Sequence, residues 1–218
     1  MSNPFKNTQG EVAWRSPSNI ALIKYWGKYG NQLPRNASIS FTLNNAYSEM
    51  SVKYQPKTTN DKNVDLKFYF EEKENPKFET KIQAFLESIV SYFPFLQHFS
   101  LEIHSHNSFP HSTGIASSAS SMSALALCLV DIENALDGGL RPHEFFEKAS
   151  KIARLGSGSA CRSVFPYLAV WGKHPQIPLS SNEYAVPFHE NVHPIFKTYK
   201  DAILIVSSDE KSVSSRDG

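Results

Sequence analysis

Three stretches of the sequence combine small, hydroxyl and charged residues in patterns suited to binding anions. The first, NSFPHSTGIASSA at 107–119, joins a predicted strand to a predicted helix. The first turn of a helix presents unpaired N–H groups and a partial positive charge, and small residues let a phosphate approach the backbone. No Gly-Lys-Ser/Thr follows at the spacing of a Walker loop. A serine-capped helix packed closely on a sheet explains the same pattern equally well.

The second stretch, SPSNIALIKYWGK at 16–28, is an apolar strand that ends in two cations and two aromatic residues. Ammonium and phenol groups at a strand end can bind a phosphorylated small molecule. On composition alone, an ordinary strand end with solvated lysines and a packed tryptophan is the favoured alternative.

The third stretch is GSGSACRS at 156–163. Its serines and backbone N–H groups can form a second anion cradle, and Arg162 has the planar fork that binds a carboxylate or a phosphate. A tight turn between helices with an exposed arginine is an equally good explanation of the residues.

Hydrophobic periodicity predicts the elements that must position these stretches. Strands are expected over 12–18 leading into 20–23, then over 38–43, 47–54, 64–70, 99–103, 164–171, 184–188 and 202–206. Helices are expected over 78–93, 115–130 and 142–155, with Gly156 as the residue that follows the last helix. Strands and helices do not alternate strictly, so the order favours an α+β fold with a mainly antiparallel or mixed sheet over a Rossmann fold.

Composition narrows the class of protein. The chain has 218 residues, 40% of them hydrophobic and 20% charged, with a net charge of +1. Those values favour a globular protein and give no support to bulk electrostatic binding of nucleic acid or membrane. No uninterrupted apolar run of 18 residues and no secretory signal are seen, so neither a membrane span nor export is expected. Cys128 and Cys161 are expected to be buried free thiols in the cytoplasm.

The three stretches together resemble one protein family. The 107–119 stretch resembles the phosphate-binding motif of the GHMP kinase superfamily, and Ala116 in place of the second glycine resembles the form in diphosphomevalonate decarboxylases. The segments 19–28 and 33–43 (LPRNASISFTL) are similar to the start of that family, and GSGSACRS resembles its hallmark. One departure is Pro166-Tyr167, which stands where the family has Gly-Gly and puts the local backbone geometry in question.

The resemblance implies a GHMP-kinase N-terminal domain (ribosomal protein S5 domain 2-like) over 1–195, and the start of a C-terminal ferredoxin-like domain over 196–218. It implies ATP-dependent decarboxylation of mevalonate 5-diphosphate to isopentenyl diphosphate through phosphorylation of the 3-hydroxyl. ATP and Mg²⁺ are the implied cofactors, and a homodimer is expected. The segment 211–218 resembles a family loop, and the catalytic aspartate is expected beyond it. The chain is therefore expected to be a fragment without turnover of its own.

The resemblance also implies roles for individual residues. Arg162 is expected to bind the departing carboxylate, and Asn19 is expected to orient Arg162. Lys24 is expected to be a further catalytic residue. The expected substrate-binding residues are Tyr25, Trp26, Gly27, Lys28, Lys81, Ser157, Gly158, Ser159, Ala160, Cys161, Arg162, Ser215 and Arg216. The expected nucleotide-binding residues are Asn107, Pro110, His111, Ser112, Thr113, Gly114, Ala116, Ser117 and Ser118, with Ser118 also holding the metal.

Two other functions remain open from the sequence. One is a sister kinase that phosphorylates mevalonate without decarboxylating it. The other is a non-catalytic module that binds phosphorylated metabolites. His104 and His106 lack a set of metal ligands at suitable spacing, so a satisfied surface or core role is expected for them.

Overall fold

A computed structural model describes residues 5, 7–110 and 115–204 of the chain. Its strands are β1 (Gly10–Ile23), β2 (Lys28–Tyr29), β3 (Leu33–Pro34), β4 (Ser38–Pro56), β5 (Asp65–Phe70), β6 (Lys73–Glu74), β7 (Phe99–Asn107), β8 (Leu168–Trp171) and β9 (Ala185–Pro187). Its α-helices are α1 (Pro76–Ser88), α2 (Ser117–Asp137), α3 (Pro142–Gly156) and α4 (Ala160–Ser163). Short 3₁₀ turns lie at Pro94–Gln97 and Pro194–Lys197.

Strand β4 organises the main sheet. It pairs antiparallel with β1 over residues 39–42 and 47–54. Its first residues also pair with β8, whereas its second half pairs with β7. The order is β6-β5-β7-β4-β8-β9 with β1 on the other edge of β4, and β5 and β7 run parallel. The mixed sheet and the α+β class agree with the prediction from element order.

The helices cover one face of the sheet, where the inward residues of alternate strand positions form the core. Helix α2 packs on β1 and β4, and α3 packs on α2. Representative core residues are Met50, Val52, Ile103, Leu125 and Leu129. The outward face is polar, and its two histidines are satisfied as expected: His104 contacts Glu72 and Glu102, and His106 contacts Glu71.

Helix α2 qualifies by length and apolar composition as a membrane-spanning segment, which the absence of an uninterrupted apolar run did not predict. Its most apolar window is 61% buried inside the domain. Packing against the sheet therefore accounts for its apolar composition, and length and composition by themselves are weak evidence for a span.

Three other predictions about elements need correction. The segments 38–43 and 47–54 form one strand. β4 pairs with β1 both before and after the irregular stretch that lies between these segments. Helix α1 ends at Ser88, before the 3₁₀ turn. Ala202–Leu204 is not a buried strand: it has no regular structure, and Leu204 is 90% exposed. Residues 205 and 206 lie outside the described part.

Gly156 was predicted to follow the helix, but it is the last residue of α3, and Ser157 caps the end. The reason for glycine is packing, since a Cβ here would lie 2.1 Å from Met122 Cε and 3.2 Å from a Phe85 ring carbon. The end of α3 can therefore approach α1 and α2 closely.

Candidate active site

Arg162 is the centre of a polar cluster buried between α4 and the sheet. Its side chain is 2% exposed. The guanidinium donates from Nε to Ser40 Oγ at 2.9 Å, from Nη1 to Ser38 Oγ at 2.5 Å, and from Nη2 to Asn19 Oδ1 at 3.4 Å. All three partners are neutral. Asn19 therefore contacts the arginine that it was predicted to orient, and the role itself stays a prediction.

The charge of Arg162 is not balanced by any carboxylate of the described residues. Burial lowers the pKa of its guanidinium, and the thiol of Cys161 and the phenol of Tyr25 oppose that shift. The cation instead lies 5.8 Å from the Tyr25 ring centroid and 6.0 Å from that of Trp171, at the outer limit of cation–π contact. Buried charges are normally paired, so this arrangement is suited to an anionic ligand.

The Tyr25–Lys28 segment contacts the same cluster from the end of β1. The Tyr25 ring meets Trp171 edge-on at 4.8 Å, and burial raises the pKa of its phenol while Arg162 opposes the rise. The Lys28 ammonium lies 2.5 Å from Gln32 Oε1. A Cβ on Gly158 would lie 3.4 Å from Lys28 Cε, so this lysine stem reaches the third stretch.

The loop between α3 and α4 is built without bulk next to Trp171. A Cβ at Gly158 would lie 3.0 Å from the Trp171 ring, which explains the glycine. Ser157 and Ser159 are half-buried, and within the described part of the chain neither hydroxyl has a hydrogen-bond partner. Their oxygens are available to a ligand.

Ala160 and Cys161 are buried behind that loop rather than in its mouth. The Cys161 thiol lies 3.0 Å from the Gly158 carbonyl oxygen and donates to it, and burial raises the thiol pKa to about 12. Both cysteines are free and buried, as predicted. Cys161 therefore shapes the loop as a neutral thiol, and its direct contact with substrate stays a prediction.

The 107–119 stretch, called the phosphate-loop stretch below, leads into α2 through Ala116, whose φ is +54°. That left-handed conformation favours glycine and explains why the related motif carries one here. No side chain caps α2 among the described residues. Its first turn is held to the sheet by serines: Ser48 donates to Asn107 Oδ1 at 2.6 Å and lies 2.7 Å from Ser120 Oγ.

Strand β1 joins the phosphate-loop stretch to the Arg162 cluster. Ser18 Oγ donates to the Ile115 carbonyl, whereas Asn19 Nδ2 donates to the Ser159 carbonyl at 3.1 Å and to Ser163 Oγ at 2.7 Å. Consecutive strand residues normally face opposite sides of a sheet. Here both are buried because the β1–β4 register shifts between Pro17 and Asn19.

Several predicted site residues are not joined to this cluster. Lys24 is exposed, and its backbone carbonyl accepts a hydrogen bond from Asn36 Nδ2 at 3.0 Å. Trp26 is 77% exposed, and the Lys81 ammonium lies 5.9 Å from the Phe78 ring centroid on α1. Their roles stay predictions, as do those of Gly27, Pro110, Ser117 and Ser118. His111, Ser112, Thr113, Gly114, Ser215 and Arg216 lie outside the described residues.

Sequence reasoning missed Ser38, Ser40 and Trp171 as parts of the site. The signal was present for the serines, since alternate positions of a strand share one face and Ser38 and Ser40 are serines on an inward face. Buried hydroxyls at period two imply a polar partner above the strand, and that partner is Arg162.

The conformation at Tyr167 explains the departure seen at Pro166-Tyr167. Tyr167 has φ +63°, a conformation that glycine adopts without strain. Its carbonyl accepts a hydrogen bond from the Thr42 N–H at 2.8 Å, so a backbone conformation typical of glycine is held here by a residue less suited to it.

Comparisons with known proteins agree with this geometry. A family model described as diphosphomevalonate decarboxylase-like N-terminal domain matches residues 16–183. The diphosphomevalonate decarboxylase of Debaryomyces hansenii is 35% identical over 213 residues, covering 93% of this chain and 52% of that protein.

Solved structures of relatives share the fold. A mevalonate diphosphate decarboxylase from Legionella pneumophila has a TM-score of 0.67 at 30% identity, covering 95% of this chain and 61% of that one. A structure described as MDDEF in complex with MVAPP, AMPPCP and magnesium has a TM-score of 0.63 at 31% identity, covering 82% and 50%.

The chain spans about half the length of the curated relatives that it matches. The region matched by the family model nevertheless contains residues 16–23 of β1, the Tyr25–Lys28 segment, the 107–119 stretch and the loop at 156–163. Because a family model covers most of the chain, including every element of the Arg162 cluster, the chain belongs to the diphosphomevalonate decarboxylase-like N-terminal domain family.

Proposed function

We propose that this chain supplies the substrate- and nucleotide-binding part of an enzyme that decarboxylates mevalonate 5-diphosphate with consumption of ATP. The observation that carries the proposal is Arg162, a buried cation held by neutral groups and lacking a carboxylate partner among the described residues. A substrate with a carboxylate at one end and a diphosphate at the other matches this cation and the nearby Lys28 and serine hydroxyls.

Each group of the substrate has residues suited to it. Arg162 binds the C1 carboxylate through its planar fork, and Asn19 fixes the orientation of that fork. Tyr25, Lys28 and the hydroxyls of Ser157 and Ser159 bind the diphosphate. Tyr25 contacts Trp171, and the Lys28 stem lies 3.4 Å from where a Cβ on Gly158 would stand, so these groups approach one loop.

The nucleotide site is proposed at the start of α2. A 21-residue helix whose first turn has no side-chain cap among the described residues offers N–H groups to phosphate oxygens. Ser118 is exposed on that turn, and its hydroxyl is the type of hard oxygen ligand that Mg²⁺ prefers. Bound Mg²⁺ would neutralise phosphate charge during phosphoryl transfer. One solved neighbour holds AMPPCP and magnesium beside MVAPP, which supports both cofactors.

The proposed reaction has two balanced stages. The 3-hydroxyl oxygen takes the γ-phosphoryl group of ATP, and the hydroxyl proton goes to a base outside the residues described here. The C3–O bond then breaks and phosphate leaves with its electrons, while the C1–C2 bond electrons form the C2=C3 double bond and CO₂ departs. Arg162 holds the carboxylate in line for that loss, and the neutral site around it excludes water.

The test is calorimetric titration of the chain with mevalonate 5-diphosphate and with Mg-ATP. Mevalonate 5-phosphate is the matched control ligand, because it keeps the carboxylate and lacks one phosphate. We expect tight binding of the diphosphate and weaker binding of the monophosphate. Equal affinity for both ligands would contradict the proposed diphosphate site.

A second measurement separates decarboxylation from simple phosphorylation. In a complete enzyme that contains this domain, CO₂ and ADP should be released in equal amounts. ADP release without CO₂ would indicate the sister kinase, and ligand binding with neither product would indicate a binding module. We further propose a cytoplasmic location, which the two free buried thiols support, and a homodimer.

A further inference from the structure

The chain contains a second buried arginine that the proposed chemistry does not use. Arg154 lies in the last turn of α3 and is 2% exposed. Its Nε donates to the Glu183 carbonyl oxygen at 2.7 Å, and its Nη2 lies 3.1 Å from Glu183 Oε2. Its Nη1 donates to the Asn31 carbonyl oxygen.

Asn31 is at the tip of the short β2–β3 hairpin. The hairpin has only two residue pairs, Lys28–Pro34 and Tyr29–Leu33. Most of its residues are exposed. A two-stranded hairpin is marginally stable in water, so contacts from outside must set its position.

Two such contacts come from neighbouring segments. Arg154 binds the Asn31 carbonyl, and Asn182 Nδ2 donates to the Tyr29 hydroxyl at 3.1 Å. Asn182 is itself fixed, because its carbonyl accepts from Trp171 Nε1 at 2.9 Å and its Oδ1 accepts from the Lys173 N–H at 2.7 Å.

We propose that Arg154 is a positioning residue that ties the Lys28 hairpin to the serine-glycine loop at 157–159. Arg154 lies in the last turn of α3, three residues before that loop begins. Its guanidinium donates to the Asn31 carbonyl at the hairpin tip. One side chain therefore sets the distance between the two parts of the diphosphate site. This inference rests on the proposed function of Lys28, Ser157 and Ser159.

The charge of Arg154 is suited to this work. Burial lowers its pKa and Glu183 opposes that shift. The side chain of Glu183 is 47% exposed, so its carboxylate does not by itself replace the water that solvates an exposed guanidinium. The carbonyl oxygens of Asn31 and Glu183 supply much of that lost solvation. A lysine at this position has a single donor centre and cannot span Asn31 and Glu183 together.

The experiment compares Arg154→Lys with Tyr29→Phe, which removes the second tether at an exposed position. The probe for the site is inorganic diphosphate, titrated by calorimetry beside Mg-ATP. Loss of one charge-assisted hydrogen bond should weaken diphosphate binding about tenfold in Arg154→Lys, and loss of a neutral one about threefold in Tyr29→Phe. Amide hydrogen exchange over 28–34 should accelerate in both variants, while affinity for Mg-ATP should stay unchanged.

Lys151→Met is the matched control, because Lys151 also contacts Glu183, at 3.7 Å, and does not contact the hairpin. It should leave diphosphate binding and hairpin exchange unchanged. Unchanged exchange and affinity in Arg154→Lys and Tyr29→Phe would overturn the proposal. An equal loss of diphosphate and Mg-ATP binding with faster exchange throughout the domain would also overturn it, since that is the result of a general structural role.

The outcome separates this inference from the proposed function. If the unmodified chain fails to bind inorganic diphosphate, the proposed substrate site is wrong, and hydrogen exchange alone decides the role of Arg154. Faster exchange limited to the hairpin in Arg154→Lys would then still support the tether. Hairpin exchange in Arg154→Lys that is no faster than in the unmodified chain would overturn the tether.

Discussion

Replacing Arg162 with methionine tests whether this buried cation serves ligand binding or stability. Methionine fills a similar volume without charge. The replacement loses three hydrogen bonds from a charged donor to neutral groups, each worth about 1.5 kcal/mol net at the lower end for such bonds. It also removes a buried guanidinium that no described carboxylate balances, whose desolvation costs several kcal/mol. The free energy of unfolding should therefore change by less than about 2 kcal/mol, toward either sign.

Ligand affinity should respond very differently. A guanidinium–carboxylate pair with two charge-assisted hydrogen bonds contributes at least about 2–3 kcal/mol, so mevalonate 5-diphosphate should bind roughly 100-fold more weakly to Arg162→Met. Urea unfolding followed by tryptophan fluorescence gives the stability, since Trp171 lies in the cluster, and calorimetry gives the affinity.

Arg154→Met is the control for stability, because Arg154 is equally buried but has a carboxylate partner. Its loss should cost about 3 kcal/mol, the lower end for a broken buried pair, since Glu183 is half-exposed. A loss of that size in Arg162→Met, together with unchanged affinity, would refute the reasoning and make Arg162 a structural residue.

Three further predictions concern the fold. Ala116→Gly should raise the free energy of unfolding by about 1 kcal/mol in urea titrations, because it relieves a left-handed backbone at φ +54°. Gly156→Ala should lower the melting temperature and cost about 1 kcal/mol, because the new Cβ would lie 3.2 Å from the Phe85 ring, whereas the Met122 methyl ends a flexible side chain that can move; the double variant with Met122→Ala should therefore recover little of the loss. The Asp61 carboxyl, bound by the buried Lys57, has its pKa lowered from 3.8 to about 2. Its stabilising effect is complete above its ordinary pKa and is lost as pH falls through about 2, so carboxyl NMR should show that midpoint, and Asp61→Asn should remove this acid-side dependence.

The sequence predicted most elements of the fold, because their apolar periodicity is unambiguous. The inward faces of β5, β7 and α3 follow from local pattern alone. The errors lie where tertiary contacts decide. The Ala202–Leu204 segment is apolar in composition, yet it pairs with no strand among the described residues and is exposed. Gly156 resembles a helix-terminating glycine in sequence, but its small size suits the close packing against Phe85 and Met122, which are distant along the chain.

The same limit applies to the site. The three anion-binding stretches were recognisable by composition, and the structure joins Tyr25, Gly158 and Arg162 through Trp171, Ser38 and Ser40. Trp171, Ser38 and Ser40 lie outside the three stretches whose composition suggested anion binding. Their role arises only from strand pairing, since Ser38 pairs with Trp171 in the β4–β8 register and both then lie beneath the arginine loop.

The register shift between Pro17 and Asn19 is the feature on which the convergence depends. In a regular strand, Ser16 and Ser18 would face the helices and Asn19 would face away. Ser16 donates to the Ser163 carbonyl, and Ser18 donates to the Ile115 carbonyl at the end of the 107–119 stretch. With the shift, Asn19 faces the same side and reaches both Arg162 and Ser159. Three nearly consecutive side chains thus hold the end of the 107–119 stretch and the loop at 156–163 to one strand. The reaction we propose needs a phosphoryl donor and its acceptor in a fixed relation, and a single rigid strand would provide that relation more directly than two independent loops can.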